Sequence, residues 1–585
     1  MTTPQEEKKK CKNCKTEFSI APDDFSFYEK IGVPPPTFCP DCRFQRRLLW
    51  RNERTFYRRT CDLCKRNVIA VYPPDVPFPV YCQKCWWSDK WSPLSYGQDI
   101  DFSRPFMPQV RELWDKVPAL SIQNDDGIAS TNSEWAYDWA FSKNTYMSVC
   151  GWYTENCLYS FYACYDKDIM DSYFASNSEL VYELVNGDKC FGMRYSKLCF
   201  DCTNCTFGYD LKGCSNCVMC VGLRNKQYHI LNKPYSKEEY EKEVQKLQLG
   251  NRDALRKLKE DFRKLILQYP HKYSYQLKTV NCTGDALERS KSSKDCFYAM
   301  QLENCRYLVN VDEAKDCYDC NTTGRAELCY DSGTPDNSRG NKFSLFCWKC
   351  TEAEYSNNCH SCVSVMGSSG LKHISYAILN KQYDKESFGE LRTRLIAHTK
   401  ETGEWGEFFP HTLSPHAYNE TAALEWFPLT KEEALQRGYR WKDEVKKEHV
   451  PTKTPADLPQ TIAEVDDSIL NEVIACSHEG NCGEKCTMAF KIVPAELQLY
   501  RKLDIPLPTL CPNCRHYARL KMRNPAKLWH RACQCTGTNS ENGVYKNTTS
   551  HSHSNRHCDV SFETSFAPER QEIVYCEACY NSEIA

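Results

Sequence analysis

Two stretches of the chain alternate short apolar runs with Asn, Asp and Gly, and a helical pattern follows each of them. Within 156–223 and within 281–370, units such as NCLYS, NCVMC, DCFYA and NCRYL recur about 9–12 residues apart. Short β-prone runs at a steady spacing predict stacked β-solenoids, and two units per turn would give a coil of about 18–24 residues. Residues 236–268 and 384–397 carry apolar positions at helical spacing, so we expect helices that cap the solenoids.

The two repetitive stretches are copies of each other. The segment GLRNKQYHILNKPYSKEEYEKEV at 222–244 corresponds to GLKHISYAILNKQYDKESFGEL at 370–391. Each copy also contains two CxxC pairs that are separated by eight residues: Cys202, Cys205, Cys214 and Cys217 in the first, and Cys347, Cys350, Cys359 and Cys362 in the second. Three interpretations stay open for these pairs: small apolar side chains in a solenoid core, zinc ligands, or ligands of an iron–sulfur cluster.

The 38 cysteines fall into four blocks, which lie at 11–85, 150–220, 282–362 and 476–579. The start of the chain, MTTPQEEKKK, is polar, and no apolar run approaches the roughly 20 residues that span a bilayer. We therefore expect a cytoplasmic protein without a membrane partner. In a reducing compartment, cysteines at CxxC spacing bind metal more often than they form disulfides.

The first block has the spacing of two zinc sites. CKNC is followed after 24 residues by CPDC, and CDLC is followed after 17 residues by CQKC. Two CxxC pairs that close such a loop can place four thiolates around one Zn²⁺ at about 2.3 Å each. The predicted ligands are Cys11, Cys14, Cys39 and Cys42 for one ion and Cys61, Cys64, Cys82 and Cys85 for the other.

The last block repeats this plan. A shift of 472 residues aligns 14–61 with 486–533 without a gap, and the alignment matches arginines, prolines and aromatic residues. The predicted ligands are Cys482, Cys486, Cys511 and Cys514 at the third site and Cys533, Cys535, Cys576 and Cys579 at the fourth. Alternative ligands are Cys476 and His478 at the third site, and Cys558, His551, His553 and His557 at the fourth.

The pattern C-x₂-C…F-x-I…FY…P-x-P…CP-x-CR resembles the zinc-ribbon, or treble-clef, domain family of uncharacterised bacterial proteins. The resemblance is specific over Cys11–Arg47 and looser over Cys482–Arg519. It implies structural zinc and a treble-clef fold at both ends of the chain, and it implies no activity. We expect about four zinc ions, and six if the solenoid pairs also bind metal.

A basic segment follows each ribbon, RFQRRLLWRNERTFYRR after Cys42 and RHYARLKMRNPAKLWHRA after Cys514. Both segments predict helices with a basic face, and Pro525 should break or restart the second helix. Arginine interleaved with aromatic residues suits contact with phosphates and bases. A solvated helix or a protein contact is the alternative. The candidate nucleic-acid contacts are Arg43, Arg47, Arg51, Arg59, Arg515, Arg519, Arg523 and Arg531.

The formal net charge of −2 excludes a uniformly basic nucleic-acid binder, but not a locally basic one. Signatures of P-loop enzymes, zinc proteases and serine hydrolases are absent from the sequence. Because four-cysteine zinc leaves no open coordination position, we expect structural rather than catalytic metal.

These observations predict a non-enzymatic, mainly β scaffold. The expected domains are a double zinc ribbon (1–96), an aromatic-rich cover (97–149), solenoid I (150–235), a helical connector (236–275), solenoid II (276–383), a helical cap (384–442), a linker (443–475) and a second double ribbon (476–585). The leading expected function is RNA or DNA binding through the ribbon helices, as on a ribonucleoprotein. The alternatives are a protein-interaction or self-assembling scaffold that uses the solenoid faces and, less favoured, a carbohydrate-active solenoid.

Overall fold

The computed structural model describes residues 5–125, 127–315, 318–320, 324–334, 336–443 and 450–584, and the protein is mainly β. Its N-terminal part consists of two β-hairpins, each followed by helical segments. The elements are strands Glu7–Lys10 and Glu17–Ile20, helices Pro22–Lys30 and Pro40–Leu48, strands Tyr57–Thr60, Asn67–Ala70 and Val80–Tyr81, helix Gln83–Trp86, the 3-10 turn Pro93–Tyr96, helix Phe106–Trp114 and strand Ala119–Leu120.

Parallel strands that pair at a constant offset form the first repetitive region. Phe161 lies beside Val149, and Tyr173 lies beside Phe161, so the chain returns to the same position after twelve residues. The expected coil of 18–24 residues is therefore wrong. We call this region the first coil stack; its strands are Trp135–Ala140, Lys143–Trp152, Glu155–Leu158, Phe161–Cys164, Lys167–Met170, Tyr173–Ser176, Glu179–Asp188, Arg194–Phe200, Thr206–Lys212, Ser215–Val221, Gln227–Ile230 and Lys233–Pro234. Six of them, from Lys143–Trp152 to Glu179–Asp188, close a ring of parallel strands.

A repeat of three residues in the backbone conformation explains how twelve residues complete a turn. From Asp138 to Asp171, every third residue has φ between +50° and +59°, which is the left-handed region. The residue after each of these bends faces inward and is mostly small, as with Ser148, Cys157 and Ala163. Four bends turn the chain through a full circle, and the narrow interior excludes most large side chains.

Inward serines hold successive turns together. The backbone N–H of Ser160 donates to Ser148 Oγ at 3.1 Å, and that of Ser172 donates to Ser160 Oγ at 3.2 Å. These amides have turned away from the β-ladder, so the hydroxyl groups supply the acceptors that buried N–H groups need.

The second coil stack has the same twelve-residue offset, with Phe297 beside Val309 and Val363 beside Ser375. Both stacks also end alike. Asn232 forms two hydrogen bonds with the backbone of Val221, and Asn380 forms the same pair with Ser369. The strands of the second stack are Gln276–Leu277, Gly284–Glu288, Cys296–Glu303, Val309–Lys315, Gly324–Glu327, Thr351–Glu354, Val363–Met366, Ser375–Ile378 and Lys381–Gln382.

Helices follow each stack, with boundaries that differ from the sequence pattern. The segment 236–268 contains two helices, Lys237–Lys246 and Arg252–Ile266, because Ser236 and Asn251 each cap a new N-terminus. Strand Pro270–Lys272 comes next and pairs with a strand of the C-terminal part. Helix Lys385–Glu401 follows the second stack, before the 3-10 turns His411–Leu413 and Tyr418–Glu420 and the short helices Ala423–Trp426 and Lys431–Gln436.

Two of the expected segments, the cover at 97–149 and the linker at 443–475, contribute to the packed structure. Parallel pairing begins within 97–149, at strand Trp135–Ala140, so the first coil stack starts before residue 150. Residues 450–475 of the expected linker form the 3-10 turns Pro455–Asp457, Ile462–Glu464 and Asp467–Asn471, and bury Ile462 and Ile469 against the C-terminal part. The rest of that linker at 444–449 lies outside the described residues.

The C-terminal part repeats the N-terminal plan with strands Ile474–Ala475 and Ala489–Phe490, helices Pro494–Leu503 and Pro512–Leu520, strands Trp529–Ala532, Ser561–Thr564 and Ile573–Tyr575, and helix Glu577–Ile584. The predicted basic helices are short. They end at Leu48 and Leu520, and the chain continues into the extended strands Tyr57–Thr60 and Trp529–Ala532, so the second helix stops before Pro525. Among the described residues, no helix combines the length and the apolar composition needed to cross a bilayer.

Candidate metal centres

The structure brings together both predicted cysteine groups of the N-terminal part. In each group, four sulfur atoms lie within 4.8 Å of one another. The first CxxC pair follows a hairpin strand, and a left-handed residue, Lys15 or Lys65, ends its turn. The second CxxC pair lies at the start of a helix, Pro40–Leu48 or Gln83–Trp86.

One hydrogen bond recurs in the four cysteine groups of the chain ends. The backbone N–H of the cysteine that precedes a helix donates to the sulfur of the first cysteine in its group. The donor–acceptor pairs are Cys39 to Cys11 at 3.2 Å, Cys82 to Cys61 at 3.3 Å, Cys511 to Cys476 at 3.2 Å and Cys576 to Cys533 at 3.2 Å. An N–H directed at sulfur stabilises a thiolate, which is the form of cysteine that binds metal.

The third group uses a ligand that we listed only as an alternative. Its four mutually close sulfurs belong to Cys476, Cys486, Cys511 and Cys514. Cys482 lies beside them, with its sulfur 3.6 Å from that of Cys514. Cys476 takes the place of Cys11 because it ends the preceding strand and receives the recurrent N–H bond.

The fourth group also differs from the expected set. Cys558 joins Cys533, Cys576 and Cys579, and all four side chains are buried. Cys535 points elsewhere, with its sulfur 3.5 Å from His551 Nδ1. The spacing could not reveal this exchange because Cys558 comes from a long loop rather than from a CxxC turn.

Each of the four groups contains one thiol whose pKa is lowered by hydrogen bonding. The neighbouring thiol of Cys39 lowers the pKa of Cys42 to about 5, and Arg66 lowers that of Cys64 to about 6. Cys476 lowers the pKa of Cys511 to about 4, and Cys533 lowers that of Cys576 to about 5. The hydrogen bond with Cys42 raises the pKa of Cys39, and burial raises the pKa values of Cys85, Cys514 and Cys579. A bound cation would therefore be needed to ionise all four thiols of a group.

The paired cysteines of the coil stacks face inward. The thiols of Cys202 and Cys350 donate to the backbone oxygens of Phe200 and Trp348 at 3.2 and 3.4 Å. Cys205, Cys214, Cys217, Cys347, Cys359 and Cys362 are buried in the same way, within clusters of apolar side chains. Their metal-binding role stays a prediction. The described cysteines are free thiols without disulfide bonds.

We call the cysteine-bearing ends of the chain, at 5–96 and 476–584, the N-terminal and C-terminal ribbons. The arginines of helix Pro40–Leu48 in the N-terminal ribbon do not face solvent. Arg43 Nε lies 2.5 Å from Asp319 Oδ2, and Arg47 forms an ion pair with Asp331. Both guanidinium groups and both carboxylates are at most 1% exposed. The helix therefore docks on the second coil stack through buried charges.

The C-terminal ribbon docks on the first coil stack through equivalent contacts. Arg515 Nε lies 3.0 Å from Asp171 Oδ2, and Arg519 lies 2.8 Å from Oδ1 of the same carboxylate. Arg43 and Arg515 are equivalent residues of the two chain ends, which align with a shift of 472 residues. Asp171 and Asp319 are equivalent residues of the two repetitive stretches, which align with a shift of 148 residues.

Further contacts of the two units involve equivalent residues, related by the same two shifts in residue number. Arg43 lies over the ring of Tyr307 and Arg515 over the ring of Tyr159, at 5.4 and 5.0 Å from the ring centroids. Tyr28 packs edge-on against Tyr330 as Tyr500 packs against Tyr182. The chain therefore contains two copies of one ribbon–stack unit, and each stack receives the ribbon from the opposite end of the chain.

The other four candidate arginines also have partners within the chain. Arg51 forms an ion pair with Asp138 at 2.9 Å, and Arg523 lies over the ring of Trp426. Arg59 pairs with Asp62 at 3.1 Å, and Arg531 donates to Gln534 Oε1. The four candidate arginines on helices Pro40–Leu48 and Pro512–Leu520 are therefore buried against the coil stacks, whereas Arg59 and Arg531 lie on strands and have local partners. Nucleic-acid binding through the eight arginines stays a prediction.

The comparisons with known proteins do not assign the chain to a family. No family model matches the chain, and no curated protein resembles it.

Proposed function

We propose that the protein is an assembly scaffold, held together by structural zinc, that pairs with a second copy of itself through the first coil stack. In this proposal the cysteine groups are treble-clef zinc ribbons, the coil stacks are β-solenoids and the compartment is the cytoplasm. All-sulfur donor sets favour zinc among the common divalent ions and leave no open position for catalysis. The free thiols support a reducing environment.

The burial of the arginines weighs against the nucleic-acid function that the sequence favoured. A phosphate contact at Arg43, Arg47, Arg515 or Arg519 would have to displace a buried carboxylate. Separating such a pair leaves an uncompensated buried charge, at a cost of several kcal/mol. The surfaces of the coil stacks are therefore better candidates for binding a partner.

One face of the first coil stack carries a row of exposed aromatic rings. Phe141, Tyr153 and Tyr165 are 51%, 50% and 62% exposed and occupy equivalent positions on successive turns. Their rings stack in parallel with centroids 5.0 and 5.1 Å apart. Exposed apolar surface of this kind marks interaction sites on folded proteins.

The charges beside these rings indicate a second copy of the chain as the partner, and this is the observation that carries the proposal. Lys143, Glu155, Lys167 and Glu179 alternate in sign along the neighbouring column, with ion pairs of 3.7 Å between the first two and 4.0 Å between the last two. A two-fold axis between Glu155 and Lys167 would place each lysine of one copy opposite a glutamate of the other. Two-fold symmetric pairs need a surface that is complementary to itself, which this column provides.

Charge reversal tests the proposal by sedimentation of the full chain. Lys167→Glu should weaken dimerisation about tenfold or more, because it places two glutamates opposite each other. The double variant Glu155→Lys/Lys167→Glu should restore dimerisation, since opposite charges face each other again.

Lys257→Glu makes the same charge change on an exposed helix and serves as the matched control. A chain that stays monomeric at every concentration would contradict the proposal. Retention on heparin with an affinity that falls steeply with salt would instead favour the nucleic-acid function.

A further inference from the structure

A second set of metal ligands lies against the fourth cysteine group. Cys535, His551, His553 and Cys579 have donor atoms within 4.8 Å of one another. Cys579 also belongs to the group of Cys533, Cys558 and Cys576. The two groups together therefore contain seven donor side chains, and the sulfur of Cys579 is common to both.

Both histidines are oriented as metal ligands usually are. His551 Nδ1 faces Cys535 Sγ at 3.5 Å, while its Nε2 lies 2.8 Å from Glu583 Oε1. His553 Nε2 faces Cys579 Sγ at 3.3 Å, while its Nδ1 lies 2.6 Å from the backbone oxygen of Arg556. Metal-binding histidines typically donate their second ring N–H to a carboxylate or a carbonyl, which fixes the ring and leaves the other nitrogen for the ion.

The surrounding residues hold this geometry in place. The side chain of Glu583 is completely buried and accepts hydrogen bonds from Tyr545 Oη at 2.9 Å and from the N–H of Thr548 at 2.8 Å. The sulfur of Cys535 accepts from the N–H of Gly537 at 3.4 Å and from Asn547 Nδ2 at 3.3 Å.

A close backbone approach brings the histidine loop to Cys535. A Cβ on Gly537 would lie 1.7 Å from the backbone oxygen of Ser554, and the φ of this glycine is +91°. Only glycine fits both requirements. The loop that carries His551 and His553 is therefore fixed beside Cys535 by the backbone.

We propose that the C-terminal part holds a dinuclear zinc cluster. Cys533, Cys558, Cys576 and Cys579 bind the first ion, and Cys535, His551, His553 and the bridging thiolate of Cys579 bind the second. Five thiolates and two Zn²⁺ ions leave one net negative charge, whereas a single ion bound by four thiolates carries two. Binding releases the protons of the thiols to solvent. The inference does not depend on self-association, because its ligands include none of the exposed aromatic residues or of the alternating charges on the first coil stack.

Metal content of the full-length protein tests the second ion. The double variant His551→Ala/His553→Ala should contain one zinc ion per chain fewer than the wild type by elemental analysis. His530→Ala changes a histidine of the C-terminal part that is 70% exposed and lies in none of the cysteine groups, and it should leave the content unchanged. Equal metal content in all three proteins would overturn the proposal, whatever the total is.

A conservative variant keeps the test valid if the double variant loses the whole module. His553→Cys should retain every ion while replacing an imidazole ligand by a thiolate. In the cobalt-substituted full chain, the sulfur-to-cobalt absorption should then rise, and an unchanged spectrum would overturn the proposal. In the cadmium-substituted wild type, NMR should show two C-terminal signals coupled through the sulfur of Cys579; uncoupled signals would refute the bridge.

Discussion

At the residue scale, buried arginine–aspartate pairs connect the modules. Asp171 and Asp319 occupy left-handed bends of the two stacks, with φ of +54° and +64°, and each receives arginines from a ribbon helix. A buried ion pair contributes little net stability, but the loss of one partner is costly because the other charge remains buried. The pairs therefore fix the position of each ribbon helix on its stack, but they are the same in both units and do not distinguish one stack from the other.

Removing one arginine should release the ribbon that carries it. We expect Arg43→Ala and Arg515→Ala each to cost about 1.5–3 kcal/mol of local stability, because the buried carboxylate of Asp319 or Asp171 loses one of its two arginine partners. Hydrogen exchange should accelerate in helix Pro40–Leu48 for the first variant and in helix Pro512–Leu520 for the second. Arg256→Ala removes an exposed arginine and should change neither. Unchanged hydrogen exchange in the helix of either variant would show that the arginine–aspartate pairs do not hold the ribbons on the stacks.

The sequence revealed part of this chemistry. CxxC spacing identified Cys11, Cys14, Cys39 and Cys42, since a short turn followed by a helix start determines where these sulfurs lie. Cys476 and Cys558 were only alternatives, because neither of them lies in a CxxC turn. The arginines were visible as a repeated pattern, but their buried partners lie hundreds of residues away in the chain.

At the element scale, the turn of the coil stacks depends on small inward residues. Ser160 is fully buried, and its hydroxyl accepts the N–H of Ser172 from the next turn. In the second stack, the sulfur of Cys350 accepts the N–H of Cys362 in the same way, at 3.4 Å. Serine and cysteine therefore both accept a backbone hydrogen bond from the next turn at these positions.

Truncation of one inward serine should destabilise the first coil stack. We expect Ser160→Ala to lower the free energy of unfolding by about 1–3 kcal/mol, because the amide of Ser172 loses its acceptor. Ser160→Cys should cost less, since a sulfur acceptor is retained. Denaturant unfolding measures the difference. An alanine variant as stable as the cysteine variant would show that the hydroxyl ladder adds nothing.

The repetition of the stacks was predictable, and the length of their turns was not. Conspicuous units about 9–12 residues apart suggested two units per turn. The structure shows that twelve residues already complete a turn, because left-handed bends recur every third residue. A period of three in small residues was present in the sequence, but it resembles neither an α-helical nor an ordinary β-strand pattern.

At the scale of the whole molecule, the chain is two ribbon–stack units in crossed order. The N-terminal ribbon docks on the second stack, and the C-terminal ribbon docks on the first. Strand Pro270–Lys272 also pairs with Ile573–Tyr575, which ties the connector between the stacks to the C-terminal part. Both duplications were visible in the sequence, but the crossed docking was not, because it depends on contacts between distant segments.

The central claim is that metal ions hold together the folded ends of the chain, which dock on the coil stacks through buried ion pairs. Native mass spectrometry of the full chain, purified without oxygen, tests it most directly. We predict a compact species that carries five zinc ions, four in the cysteine groups of the chain ends and one with His551 and His553. A compact species without stoichiometric metal, or one that is lighter by two hydrogens for each pair of terminal cysteines, would contradict the account.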